Sequence, residues 1–178
     1  EKIASAGRTM GLEVPFLRPA ELASDTTPML PVIAHALGWC ETNDIPADII
    51  ILLQPTSPLR RAEQIDAAVS LLHDHKAETV VSMMKVPHRF TPGSMMTMTD
   101  RSLVPYLVGP MVLRRQDKSP LYARNGPAIL AVRATVIRRG VLYGDPTIGY
   151  EMNAETSLDI DDPEDLWLAE QYLRRRND

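Results

Sequence analysis

An unbroken run of five aliphatic residues, Ile49 to Leu53, is followed directly by a polar turn carrying Pro55 and Pro58. With its flanks, Asp48 to Gln54 has the length of a strand, buried on both faces if it is central in a sheet. It is far too short to span a membrane as a helix. Behind the turn, Ile65, Ala68, Val69 and Leu72 recur at helical spacing across Ala62 to His75. Thr79 to Met84 then reads as a second strand centred on Val80 and Val81. Strand, helix and strand in succession predict an α/β domain with a mostly parallel sheet.

The rest of the chain keeps this alternation, with one interruption. Ile3 to Met10 reads as the end of a helix closed by Gly11, Glu13 to Leu17 as a short strand, and Met29 to Thr42 as a helix. From Pro87 to Arg124 the periodicity is lost among prolines, methionines and polar residues, over a length unusual for a plain loop. This segment is expected to leave the core as a β-arm or assembly element. Strand pattern resumes at Ala128 to Val132, followed by a short helix at Thr135 to Arg139 and a short strand at Tyr150 to Met152. The last helix, Pro163 to Arg174, has Asp162 as N-cap, Pro163 in its first position and Asp165 near the positive end of its dipole. Leu166, Ala169, Gln171 and Leu173 are its expected docking stripe, and Arg174 to Arg176 read as a solvated tail.

With 178 residues, the chain is expected to form a single domain. An apolar fraction of 44% and a charged fraction of 24% are ordinary for a folded protein. The net charge of −4, with no basic stripe, argues against a nucleic-acid surface. Cys40 is the single cysteine, which excludes an intrachain disulfide and suits a reducing, cytoplasmic setting. No membrane span and no signal peptide are legible. The four histidines, at 35, 73, 75 and 88, do not form a metal set; His88 beside Arg89 is the one to consider for a site.

Three segments carry chemistry. Gln54 to Arg60 follows the buried strand, where ligands bind in open α/β sheets. Gln54, Ser57 and Arg60 there offer an amide, a hydroxyl and a planar cationic fork. A rigid strand-to-helix connection explains the same residues equally well. Ser157 to Asp162 alternates Leu158 and Ile160 with Asp159 and Asp161, putting the two carboxylates roughly 7 Å apart at Cα if extended. Such a pair can share Mg²⁺, which takes one or two carboxylates and fills its shell with water and phosphate. A solvated face ahead of a helix cap is the competing explanation. Arg115 and the turn Arg124-Asn125-Gly126 decide nothing alone.

In order and spacing, four blocks together resemble the acylneuraminate cytidylyltransferase family. They are Leu17 to Thr26, Leu-Leu-Gln-Pro-Thr-Ser-Pro-Leu-Arg from Leu52 to Arg60, Asn125-Gly126, and Ser157 to Asp161. The resemblance implies a nucleotidyltransferase fold with a mixed, mainly parallel sheet. It implies a reaction in which the anomeric hydroxyl of a nine-carbon acidic sugar attacks the α-phosphate of CTP and releases pyrophosphate. By position, Arg18 would lie near the cytidine, and Gln54 would contact the sugar with Ser57 and Arg60 in support. Arg115 and Asn125 would help bind the sugar or its carboxylate, and Asp159 and Asp161 would hold Mg²⁺. It also implies a homodimer assembled through the projecting segment Pro87 to Asp117, with Met95, Met96, Met98, Val104, Leu107, Val108 and Met111 facing a second subunit.

Family members open with a strand, a glycine- and lysine-bearing phosphate loop, a helix and a second strand. This sequence enters in the helix after them, and a polypeptide without that loop is expected to show negligible catalysis and an exposed sheet edge. Pro127 and Met29 also depart from the family pattern. The competing expectations are another sugar nucleotidyltransferase of similar fold, and a non-catalytic binding or assembly domain. The choice among neuraminic, legionaminic and pseudaminic acids stays open, with the eight-carbon acid KDO disfavoured by the Gln54 block.

Overall fold

In the computed structural model, residues 1–107 and 119–177 are described, and the chain divides into two compact units. The first comprises Glu1–Ile50 and Arg133–Leu142, the second Ile51–Val132 and Tyr143–Asp178.

The first unit is helical. It holds α1 (Lys2–Thr9), α2 (Met29–Thr42) and α4 (Ala134–Arg138). Gly11, at φ +80°, takes the left-handed conformation just beyond α1, as its position in the sequence predicts. Ile33 and Leu37 of α2 are buried, as are Ala134, Val136 and Ile137 of α4. The predicted strand at Glu13 to Leu17 does not form. Pro15 removes a ladder donor from its middle, and Phe16 is instead anchored by its ring, 5.2 Å from both His35 and Trp39.

In the second unit, β1 (Ile49–Leu52) enters from the first, α3 spans Ala62–Asp74, and β2 (Thr79–Lys85) is the hub of the sheet. Two short antiparallel strands, β3 (Met96–Thr99) and β4 (Ser102–Pro105), form a separate hairpin. Its turn residues Asp100 and Arg101 both have positive φ, as a two-residue hairpin turn requires. Then follow β5 (Tyr122–Arg124), β6 (Leu130–Arg133), β7 (Thr147–Glu151) and α5 (Pro163–Asn177). The main sheet runs β1-β6-β2-β5, and β7 also pairs with β2.

The α/β class matches the sequence reading, but the polarity of the sheet does not. β7 pairs with β2 in parallel, whereas β5 and β6 both pair with it antiparallel. The cause lies in the excursion after β2. The Val86 N–H donates to the Leu121 carbonyl at 2.8 Å, so the chain re-enters at the end of β2 where it left. A strand starting there can only run back along β2. The strand β1 is likewise not central: it ends the described sheet, and Ile51 is exposed.

The helix α5 starts as predicted. Asp162 Oδ1 accepts the Glu164 and Asp165 N–H groups at 2.8 and 3.0 Å, and Asp165 Oδ2 accepts the Asp161 N–H at 3.1 Å. Its docking face is a correction: Leu166 and Leu173 are exposed, while Ala169 is buried. The inward stripe is Asp165, Leu168, Ala169, Gln171, Tyr172 and Arg176, so the expectation holds at Ala169 and Gln171, and the stripe keeps helical spacing around Ala169. Among the described residues no helix is long and apolar enough to cross a membrane.

Candidate active site

The site begins with an irregularity in the antiparallel ladder. Arg124 pairs with Met83 and Leu130 with Val81, so residues 125–129 all stand opposite Ser82. This bulge is tied from beneath. The Ser82 hydroxyl donates to Asn125 Oδ1 at 2.6 Å and accepts the Ile129 N–H at 2.9 Å. The Asn125 amide donates to Ser157 Oγ at 2.9 Å and contacts the Met152 sulfur at 3.6 Å. At 5% exposure, with both ends of its amide engaged, Asn125 is a scaffold for the bulge in this structure.

What the bulge presents is Gly126. At φ +109°, a Cβ on Gly126 would lie 3.1 Å from Asp159 Oδ2 and 3.2 Å from Ser57 Oγ. The Ser57 hydroxyl, fully buried, donates to Asp159 Oδ1 at 3.3 Å. Gln54 Nε2 donates to the Gly126 carbonyl at 3.2 Å. Three separate stretches of sequence, Gln54–Arg60, Asn125–Gly126 and Ser157–Asp161, therefore meet at one point. The Ile160 N–H donates to the Thr56 carbonyl at 2.8 Å and closes the junction from the backbone.

Arg60 is turned onto its own loop. One of its terminal nitrogens donates to the carbonyls of Gln54 at 2.6 Å and Ser57 at 2.7 Å. Burial lowers the pKa of its guanidinium, which still stays charged at any ordinary pH. Asp159 is half-buried and Asp161 exposed. The segment carrying them is irregular rather than strand, because it is tethered at Thr56 instead of lying in a ladder. Among the described residues no three His, Cys, Asp or Glu side chains converge as a metal cluster. The donor set at Asp159 and Asp161 is a pair of hard carboxylate oxygens, which suits a cation completing its shell with phosphate and water.

Of the remaining expected residues, Arg18 lies in the first unit, exposed, with Nη1 3.5 Å from the Leu22 carbonyl. Arg115 lies outside the described residues, as do Val108 and Met111. His88 lines a cavity of about 380 Å³ with Lys85, Thr91, Ser119 and Leu121. Sequence reasoning missed Ser82, whose only signal is a hydroxyl inside an apolar strand pattern, and the close approach that makes position 126 a glycine.

Comparison with known proteins gives these contacts a context. The chain is 31% identical over 180 residues to CMP-N,N'-diacetyllegionaminic acid synthase of Legionella pneumophila, covering 97% of this chain and 74% of that protein. It is 32% identical over 157 residues to an N-acylneuraminate cytidylyltransferase of Streptococcus agalactiae, covering 88% of this chain but only 36% of that one. A solved structure of CMP:2-keto-3-deoxy-manno-octonic acid synthetase complexed with CTP superposes with a TM-score of 0.65. That match covers 98% of this chain and 78% of the other at 14% identity, and it establishes the nucleotidyltransferase fold. No family model matches. With the identity extending along almost its whole length, and with three of the four motif segments folded against one another in the second unit, this chain belongs to the acylneuraminate cytidylyltransferase family.

Proposed function

We propose that this domain transfers the cytidylyl group of CTP to the anomeric hydroxyl of a nine-carbon acidic sugar of the sialic-acid type. A bond forms between the sugar oxygen and the α-phosphorus, the bond to the β-phosphate oxygen breaks, and pyrophosphate leaves. The observation that carries the reading is the Ser57–Asp159 hydrogen bond, which joins the strand-end loop to the acidic segment in a chain of this family. Gln54, whose side-chain oxygen Oε1 has no partner among the described residues, meets the sugar. Ser57 and Arg60 hold that loop in shape, and Asn125 supports it from below. Arg18 contributes to the cytidine side and Arg115 to the sugar carboxylate.

Asp159 and Asp161 would hold Mg²⁺. When bound there, the ion supplies charge neutralisation at the phosphates and a lowered pKa for the attacking hydroxyl. The chain's own part is positioning: the Gln54–Arg60 loop is cross-linked by side-chain and backbone hydrogen bonds, so little ordering is left for ligand binding to impose. We further propose a homodimer formed through the β3–β4 hairpin, on which Met98 is 71% exposed beside Met96, Leu103 and Val104. The single free cysteine, Cys40, is in keeping with a cytoplasmic setting.

The test is pyrophosphate release by the full gene product with Mg²⁺, each of the four nucleoside triphosphates, and a panel of eight- and nine-carbon sugar acids. Turnover restricted to CTP and a nine-carbon acid is expected. Turnover with another nucleotide would move the protein to a different sugar nucleotidyltransferase. Silence from a folded protein would favour a binding domain.

A further inference from the structure

The basic run at the end of α5 reads in the sequence as a solvated tail, yet two of its arginines converge on one carboxylate. Glu155 Oε2 accepts from Arg175 Nη2 at 2.7 Å, and Oε1 accepts from Arg176 Nε at 2.8 Å. Arg61 Nη2 stands 3.9 Å from the same Oε1. The side chains of Glu155 and Arg176 are only 20% and 22% exposed, whereas that of Arg175 is 70% exposed. Arg176 also has a second target: its Nη2 donates to the Leu59 carbonyl at 3.1 Å.

These two targets belong to the two halves of the site. Leu59, itself fully buried, is in the loop that carries Gln54 and Ser57. Glu155 stands four residues before Asp159, in a turn fixed by Asn153 Oδ1, which accepts the Thr156 N–H at 2.9 Å. A parallel tie runs from the first turn of α3, where Gln64 Nε2 donates to Thr156 Oγ1 at 3.0 Å. The two segments are thus joined at the front by the Ser57–Asp159 and Ile160–Thr56 hydrogen bonds, and at the back by one guanidinium.

We propose that Arg176, held by Glu155, is a positioning residue that sets the separation between the Gln54–Arg60 loop and the Asp159 segment. It touches no reacting atom. Its effect travels through Leu59 on one side and through Glu155 to Asp159 on the other. The planar fork matters, because a carboxylate and a carbonyl in different directions need donors in a fixed geometry, which a lysine ammonium on a flexible stem does not provide. The consequence for turnover rests on the cytidylyltransferase reading; the bridge itself does not.

The experiment compares Arg176→Lys and Glu155→Gln with Arg174→Lys in the full gene product. Arg174 is the control, since its pair with Glu170 at 3.6 Å is exposed on α5 alone. Amide hydrogen exchange is read on peptides covering 54–60 and 157–161, and pyrophosphate release is resolved into kcat and KM for CTP. Arg176→Lys and Glu155→Gln are expected to speed exchange in those two segments while leaving α3 and β2 protected. They should also lower kcat roughly 10- to 100-fold, the scale of a misplacement of up to about 1 Å, with KM for CTP little changed. Glu155→Gln keeps an acceptor for one arginine and should fold even if Arg176→Lys does not. Exchange that is unchanged, or faster throughout the unit, overturns the proposal, as does full turnover by Arg176→Lys. If the wild type itself releases no pyrophosphate, the assignment of activity fails, and the exchange pattern still decides the bridge.

Discussion

Gly126 offers a direct test of whether the bulge, Ser57 and Asp159 act as one unit. At φ +109° the residue lies outside the ordinary left-handed basin, so any side chain there strains the backbone by about 1–3 kcal/mol. Gly140 provides the matched control: its φ is +77°, and a Cβ there would meet nothing within 4 Å. Replacing Gly140 by Ala should cost the usual left-handed penalty of about 1–2 kcal/mol. At this chain length each kcal/mol lowers Tm by about 2–4 °C. Gly126→Ala should lose a comparable or somewhat larger amount, readable as a shift of the urea midpoint. The difference lies in the neighbours. The new methyl at 126 would meet the Asp159 carboxylate at 3.1 Å and the Ser57 hydroxyl at 3.2 Å, so each must give by a few tenths of an ångström. Their mutual hydrogen bond is already 3.3 Å long and has little room to stretch. A misplacement of about 1 Å can cost about 100-fold in rate, so a fraction of that should cost about tenfold. The expected result is similar loss of stability in both variants and a loss of kcat/KM confined to Gly126→Ala. Equal turnover by the two variants, at equal fraction folded, would refute the idea that position 126 shapes the site.

Asn125→Ala should destabilise the fold by about 1–3 kcal/mol, because it strands the buried Ser82 and Ser157 hydroxyls; chemical denaturation measures this, and an unchanged midpoint would contradict the scaffold role. Asp159→Asn and Asp161→Asn should each weaken Mn²⁺ binding, followed by electron paramagnetic resonance with CTP present, and undiminished binding in both would remove them as metal ligands. Glu155 has its pKa held below the ordinary 4.5, first by the hydrogen bond from Arg176 and further by the charges of Arg176 and Arg175. A carboxyl with a lower pKa in the folded state adds stability above its unfolded value and loses it as pH falls through the folded one. Acid unfolding below about pH 4.5 should therefore be less steep in Glu155→Gln than in the wild type, with the two converging at the acid end. Met98→Asp on the hairpin should shift a dimer toward monomer in light scattering at micromolar concentration, with unchanged circular dichroism.

Local physics made most elements legible. The limits of α2 agree with the periodicity, and the cap of α5 is formed by the carboxylates expected to form it. What failed depends on pairing at a distance. The polarity of the sheet is decided by where the chain returns after residue 121, and no pattern within β5 or β6 carries that information. The stretch around Phe16 has strand composition but finds aromatic rings rather than a neighbouring strand. On α5 the expected stripe holds at Ala169 and Gln171 but not at Leu166 and Leu173, which are exposed, while Leu168 and Tyr172 turn inward beside Ala169.

The site shows a different division. Residue types were readable from the sequence, since carboxylates two apart and a polar loop at a strand end are what metal-assisted phosphoryl chemistry needs. Their roles were legible only in part, because a role depends on what else holds the side chain. The resemblance implied that Ser57 and Arg60 support the loop, whereas residue type alone left Arg60 open to an anion. Arg60 offers a fork suited to an anion, but both loop carbonyls nearest to it use that fork first. Asn125 has the right chemistry to meet a sugar, but two buried serines claim its amide. Arg176 stands where a tail would be expected, but its fork joins Leu59 to Glu155. In each case a long polar side chain near the site serves the protein's own backbone or buried polar groups. Buried carbonyls and hydroxyls carry a fixed cost if left unpaired, so residues close to a ligand site are drawn first into shaping it. The groups left over for a ligand are then those that the protein's own bonds leave unclaimed, and at this site they include Gln54 Oε1, Asp159 Oδ2 and the carboxylate of Asp161.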